Sequence, residues 1–200
     1  MTGRSQLVRH ERAAAGAERR GTLVALHSDG GDARELLPLC AAIGPDFDLL
    51  APQASRSRNP FLSSAPPDDP RWREYAGFSW FRRDDAGQPE PASFGDSLWQ
   101  VQQLVLELHE RGAGPVTLLG FREGATLALG AALALPELLD GVVAIDGAPP
   151  AIAGWSERFA PPADLAVAEI RADYTDPRGA ADAVRKFLDE RRGGASDGRG

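Results

Sequence analysis

The chain is 200 residues long, 42% apolar and carries a formal net charge of −7. That length and apolar share suit one folded domain with a sizeable core and exclude a disordered chain. The acidic balance argues against the strongly basic face of a nucleic-acid binder, and no apolar run is long enough for a membrane span or a signal-peptide core.

The cysteine, Cys40, is single, so no disulfide framework exists, and the expected location is the cytoplasm. Arg4, Arg9, Arg12, Arg19 and Arg20 form the one basic region and read as a solvated leader. Thr22 to Leu26 is a short apolar run and reads as a buried strand. Asp32 then reads as the N-cap of a helix carrying Leu36, Leu37, Cys40 and Ile43. Phe47 to Leu50 reads as the next strand, ended by Pro52. Residues 52–96 form a long proline- and aromatic-rich loop over a cleft. Its Trp72, Tyr75, Phe78, Trp80 and Phe81 either line an apolar ligand pocket or tack the loop to the core.

Beyond the loop, Leu98, Val101, Leu104, Val105 and Leu108 recur at helical spacing. Val116 to Leu119 reads as a strand, followed by an alanine-rich helix and then the strand Val142 to Ile145. Ala166 to Ile170 reads as the last strand. Ala181, Val184, Phe187 and Leu188 mark a closing amphipathic helix, and 193–200 reads as a disordered tail. Strands alternating with helices predict one α/β domain over 1–192, a mostly parallel sheet covered by helices on both faces. Ligands of such sheets bind beyond the carboxyl ends of the strands.

One of those ends carries Gly120-Phe121-Arg122-Glu123-Gly124. A short strand before it and a helix after it form the context of a G-x-S-x-G nucleophile elbow. Both glycines are present, but the residue between them is arginine, whose protonated guanidinium cannot attack a carbonyl.

Five motifs in order, from Leu23 to about Pro150, resemble the phospholipase/carboxylesterase branch of the α/β-hydrolase superfamily. Leu26-His27-Ser28-Asp29-Gly30-Gly31-Asp32 is similar to that family's L-H-G-x-G-G-D loop, and Leu50-Ala51-Pro52 to its next strand end. Gly77 to Phe81, with Phe94 and Leu98, is similar to its W-F segment and following helix. Leu119 to Ala125 resembles L-G-F-S-Q-G-A, and Gly141 to Pro150 resembles G-V-V-x-x-x-G-x-x-P. The resemblance implies a nucleophile at position 122, an acidic triad member at Asp176 and a histidine in a loop after a final strand. The sequence has three histidines, His10, His27 and His109, and none follows Arg122. The last strand of the family fold is therefore expected to be missing.

The resemblance also implies an oxyanion hole built from the Glu123 N–H and a donor near Ser28 or Asp29. Arg122 is expected to pair with Asp29 or Glu123 and cap the former active site, on a backbone strained as elbow residues are. The candidate positions are thus Arg122, Asp176 and His27 for chemistry, and Ser28, Asp29, Glu123 and Trp80 for a ligand. His27 reads first as structural and second as an acid or base. No metal-ligand cluster, phosphate loop or cofactor motif is visible. The leading expectation is a hydrolase relative that lost its Ser-His pair and binds a small acyl or apolar ligand, or a partner. The alternatives are a repurposed enzyme (isomerase, cyclase or lyase on a carbonyl substrate) and an atypical esterase. A homodimer is expected at the sheet edge that a last strand would have covered.

Overall fold

A computed structural model of the chain describes residues 7–15, 19–58, 77–152, 165–171 and 177–196. Six strands form one sheet: β1 (Arg9–Arg12), β2 (Thr22–Leu26), β3 (Asp48–Pro52), β6 (Val116–Phe121), β7 (Gly141–Ile145) and β8 (Ala166–Ile170). Their spatial order is β1-β3-β2-β6-β7-β8. All neighbours run parallel except β1, which pairs antiparallel with β3 through Arg9 opposite Pro52 and Arg12 opposite Leu49. Two-residue strands β4 (Arg56–Ser57) and β5 (Phe78–Ser79) make a separate small ribbon.

Among the described residues, four α-helices flank the main sheet: α1 (Leu37–Ile43), α2 (Pro91–Glu110), α3 (Glu123–Ala134) and α4 (Pro177–Ser196). Alternation along the central strands sends residues to opposite faces. Val24, Leu50, Leu118 and Val142 pack with α2 and α3, while Leu23, Leu49, Leu119 and Val143 pack with α1 and α4. Central strands β2, β6 and β7 are buried along nearly their whole length, as expected for parallel strands covered on both sides.

Local chemistry sets the helix starts. Glu90 caps α2 by accepting from the Ala92 and Ser93 N–H groups, and Pro91 fills the first turn. The stripe Leu98, Val101, Leu104, Val105 and Leu108 is buried as its spacing predicts, and Phe94 one turn earlier is buried with it. On α1, Cys40 is fully buried and burial pushes its thiol up to about 12.

Several boundaries differ from the sequence reading. Asp32 does not cap α1; its carboxylate accepts the Arg34 N–H at 2.7 Å and closes a local turn, and the helix starts five residues later at Leu37. β3 spans Asp48–Pro52 rather than 47–50, because β1 pairs with it to its end. The loop expected over 52–96 contains β4 and β5 and ends where α2 begins at Pro91; within it, Trp72 and Tyr75 lie outside the described residues. Helix α4 runs to Ser196, into the segment expected as a tail from 193.

The basic N-terminal segment is also more than a solvated leader. Its Arg9–Arg12 portion is the edge strand β1. Arg9 forks onto Glu107 of α2, its Nη1 and Nη2 donating at 3.2 and 3.1 Å, and Arg111 pairs with the same carboxylate. With side-chain exposures of 17% and 8% for Arg9 and Glu107, water does little to screen this contact. Glu107→Ala is expected to lower unfolding stability by about 2 kcal/mol in urea titrations. The fully buried figure of roughly 3–5 kcal/mol is reduced because Arg9 keeps some water.

Candidate active site

Strand β6 ends at Phe121 and helix α3 begins at Glu123, so residue 122 alone makes the turn. The Arg122 backbone sits at φ 51°, ψ −106°, a conformation that non-glycine residues rarely adopt. Two bonds hold it there. The Arg122 N–H donates to Ile145 O at 2.8 Å, and its carbonyl accepts the Thr126 N–H at 3.1 Å. The flanking glycines make the approach sterically feasible: a Cβ on Gly120 would fall 2.3 Å from Gly124 O, and one on Gly124 would fall 2.1 Å from Leu26 O. Gly147, after β7, leaves no more room, since its Cβ would lie 2.3 Å from that of Ala125. The strained elbow geometry expected from the sequence is thus present with arginine in it.

Asp29 and Glu123, the two acids expected to pair with Arg122, make other contacts. Arg122 is exposed and lays its guanidinium over the Phe121 ring, 5.1 Å from the centroid. Asp29 faces Arg58 instead, at 3.5 Å. Glu123 turns inward and is 1% exposed. Its Oε2 accepts the Trp80 N–H at 2.8 Å, and its Oε1 lies 3.0 Å from Ser79 Oγ. The sequence offered no reason to join Ser79 to Glu123, which are separated by 44 residues.

Ser79 has one hydroxyl proton and two acceptor groups beside it, the Glu123 carboxylate and the Phe81 carbonyl at 2.8 Å. Both contacts are satisfied when Glu123 is protonated: the carboxyl donates to Ser79 Oγ, which donates to Phe81 O. Burial is the main cause pushing the Glu123 carboxyl up to about 7, opposed by the Trp80 N–H and the Ser79 hydroxyl and reinforced by Asp29.

Trp80 is fully buried. Its indole Nε1 donates to His27 O at 2.9 Å, its ring packs on the His27 ring at 5.0 Å between centroids, and its carbonyl accepts from the Ser97 hydroxyl. These contacts tie the loop that carries Trp80 to the core.

His27 is buried with both ring nitrogens engaged. Nε2 accepts the Ala54 N–H at 3.0 Å, so the proton is on Nδ1, which donates to Ser28 O at 2.7 Å. Burial moves its pKa below the ordinary imidazole value, and the ring is held neutral in a single tautomer.

Ser28 gives both of its donors to Glu35, its N–H at 2.6 Å and its hydroxyl at 2.7 Å. One of the loop donors expected for an oxyanion hole therefore already holds a carboxylate of the chain itself. The Glu123 N–H belongs to the first residue of α3, among the helix N–H groups that have no partner within the helix. His10 lies on β1 and His109 in the last turn of α2, both exposed. Asp176 lies outside the described residues. No group of three or more potential metal ligands occurs among the described residues, and no helix there is long and apolar enough to cross a membrane.

The phospholipase/carboxylesterase family model matches residues 16–177 of the chain. The chain belongs to that family. Similar solved structures include a carboxylesterase from Mesorhizobium loti, with 24% identity, TM-score 0.63, and coverage of 88% of this chain and 91% of that one. A Bacillus cereus carboxylesterase matches at 14% identity and TM-score 0.71 over 94% and 95% of the two chains. Zea mays acyl-protein thioesterase 2 matches at 17% and 0.67 over 92% and 98%. These likenesses establish the α/β-hydrolase fold. No curated protein matches the chain.

Position 123 shows where this member departs from the family motif, L-G-F-S-Q-G-A, which has glutamine there. A glutamine amide can donate to Ser79 Oγ and accept the Trp80 N–H without titrating. Between pH 4.5 and about 7 the folded chain holds a proton on Glu123 that the unfolded chain releases, so stability falls as pH rises through that window and is level above it. Glu123→Gln is therefore expected to exceed the parent in stability by on the order of 2–3 kcal/mol at pH 8. The gain should shrink below about 1 kcal/mol at pH 5, read from urea titrations at both values. A second variant, Arg122→Gly, is expected to raise stability by about 1 kcal/mol at either pH, because glycine adopts the turn conformation without a Cβ clash.

Proposed function

We propose that this chain retains the hydrolase scaffold without serine-hydrolase chemistry, and that its former cleft binds a small acyl or apolar ligand. The observation that carries this reading is the guanidinium at residue 122, on a backbone still bent as an elbow at φ 51°. A nucleophile at that position needs a neighbouring base, and an acyl-transfer site needs both. The one buried histidine, His27, has each nitrogen engaged in a hydrogen bond. Ser28 N–H, a candidate oxyanion donor, is taken by Glu35. Each of these features opposes triad hydrolysis, and none of them closes the site to an uncharged ligand. We place the protein in the cytoplasm, with no cofactor in its function.

A second reading draws on the same bent backbone. Strain of roughly 1–3 kcal/mol persists where surrounding structure enforces it, and such positions cluster at working sites. In this reading the Glu123 N–H and Arg122 stabilise negative charge on a carbonyl substrate during an isomerisation, cyclisation or lyase step. The two readings share the prediction that ester hydrolysis does not depend on a serine at position 122.

Arg122→Ser is the direct test, assayed with p-nitrophenyl acetate and butyrate beside the parent. Both proteins are expected to stay within about tenfold of the uncatalysed rate, because no histidine follows position 122 in the sequence and, of the others, His27 has both ring nitrogens engaged. Turnover in the variant that rises by about a thousandfold or more and is blocked by a fluorophosphonate would overturn the reading, since it would require a base and an intact oxyanion hole.

A further inference from the structure

The sheet has an opening at the end opposite the elbow. Strands β2 and β3 begin there at Thr22 and Asp48, and α2 ends beside them at Glu110. Between the β1–β3 edge and the end of α2 lies a cavity of about 250 Å³. That is below the ~300 Å³ at which pockets for drug-sized ligands begin, so the space suits a short-chain or single-ring molecule.

Its wall has two chemically distinct parts. Leu49, Leu50 and Leu108 form the inner part, and all three are buried. Thr22 joins them with its hydroxyl already donated to Ala113 O at 3.1 Å. This end offers a ligand apolar contact. The outer part is charged, with Arg12, Arg19 and Arg111 against Glu11 and Asp48. Positive charge is thus in excess here, in a chain whose formal net charge is −7.

The acids of this rim are engaged. Asp48 accepts the Ala14 N–H on Oδ1 at 2.7 Å and faces Arg19 Nε with Oδ2 at 3.1 Å. Glu11 pairs with Arg9 at 2.5 Å. The guanidiniums keep donors in reserve, because each carries five N–H groups. Arg19 turns Nε to Asp48 and Arg111 turns Nη2 to Glu107, while their side chains remain 58% and 45% exposed. Arg12 meets no carboxylate within ion-pair distance among the described residues; its Nη2 makes one long contact, 3.4 Å to Gly44 O. Unused donors around an apolar floor call for a ligand with an acceptor-only, negatively charged head and a short apolar body. An excess of one guanidinium is neutralised by one negative charge, which favours a carboxylate over a phosphate monoester carrying about −1.5 to −2.

We propose that this cavity binds a small monocarboxylate, its carboxylate held at the arginine rim by Arg19 and Arg111 and its hydrocarbon laid against Leu50 and Leu108. The site lies at the start of the parallel strands, whereas Arg122 follows the end of β6. It does not depend on how the elbow is read.

Titration of the full, nitrogen-15-labelled chain with sodium hexanoate, followed by amide NMR shifts at constant ionic strength, tests it. The Ala13, Arg111 and Ala113 amides are expected to move together, with a Kd of about 1 mM or tighter. Hexanamide, of the same shape without the charge, should bind at least about tenfold more weakly. Arg19→Gln and Arg111→Gln should each weaken hexanoate at least about fivefold. Ala13 is exposed on the cavity wall, so Ala13→Trp fills the space without disturbing the core and should abolish the shifts. Circular dichroism checks that each variant is folded. Amides that stay still at about 10 mM hexanoate overturn the proposal. So does equal binding of the amide, or binding indifferent to Ala13→Trp or to both arginine variants. Shifts confined to the Arg122 and Glu123 amides would overturn this site and leave a ligand at the elbow standing.

Discussion

Everything at the elbow follows from how little space separates β2, β6, β7 and the first turn of α3. Three glycines, Gly120, Gly124 and Gly147, sit where an added Cβ would lie 2.1–2.3 Å from a neighbouring atom. With the helix start pressed this closely against the sheet, the turn has one residue in which to reverse direction. That residue takes a positive φ whatever its side chain. The packing therefore preserves the shape of a nucleophile turn independently of the chemistry at its apex, since backbone geometry and side-chain identity are set by different contacts. Arg122 occupies a position whose form is dictated by its neighbours.

The same compression sends the next side chain inward. Glu123 reaches the strap that carries Ser79, Trp80 and Phe81, and this strap reaches His27 through the Trp80 indole. The elbow, the strap and the end of β2 are joined by hydrogen bonds in a nearly dry environment. Such a network rigidifies the structure when every donor and acceptor is used. His27 meets that condition through its fixed tautomer. Glu123 meets it best when neutral. Burial and hydrogen bonding, rather than an opposing charge, thus govern the electrostatics under the elbow, and the arginine above it stays at the surface against Phe121.

The parts of this arrangement that were legible in the sequence are those with a local signature. Helix α2 announces itself by apolar spacing from Leu98 to Leu108, and β2, β6 and β7 by short apolar runs between turn residues. The elbow is legible because glycine is needed on both sides of it. Strand β1 was not legible, because Arg9-His10-Glu11-Arg12 has no apolar alternation and gains its stability from β3 and from Glu107, far along the chain. Asp32 misleads for a related reason: the side-chain bond that closes its own turn uses the same chemistry as a helix cap. Ser79 with Glu123, and Ser28 with Glu35, are contacts between loops and helix ends that have no period. No pattern at fixed spacing would pair them. The inward turn of Glu123 was hidden too, since an acid beside an arginine invites an ion pair until the steric direction of the helix is known.

Cys40 sits on the inner face of α1, with its side chain sealed from water and its thiol raised to about 12. At neutral pH it carries almost no thiolate, and it is the one cysteine in the chain. Alkylating agents and oxidants therefore meet a silent residue as long as the helix stays seated. Modification must wait for that face of the molecule to come apart, so the rate of labelling becomes an intrinsic clock for how often it does.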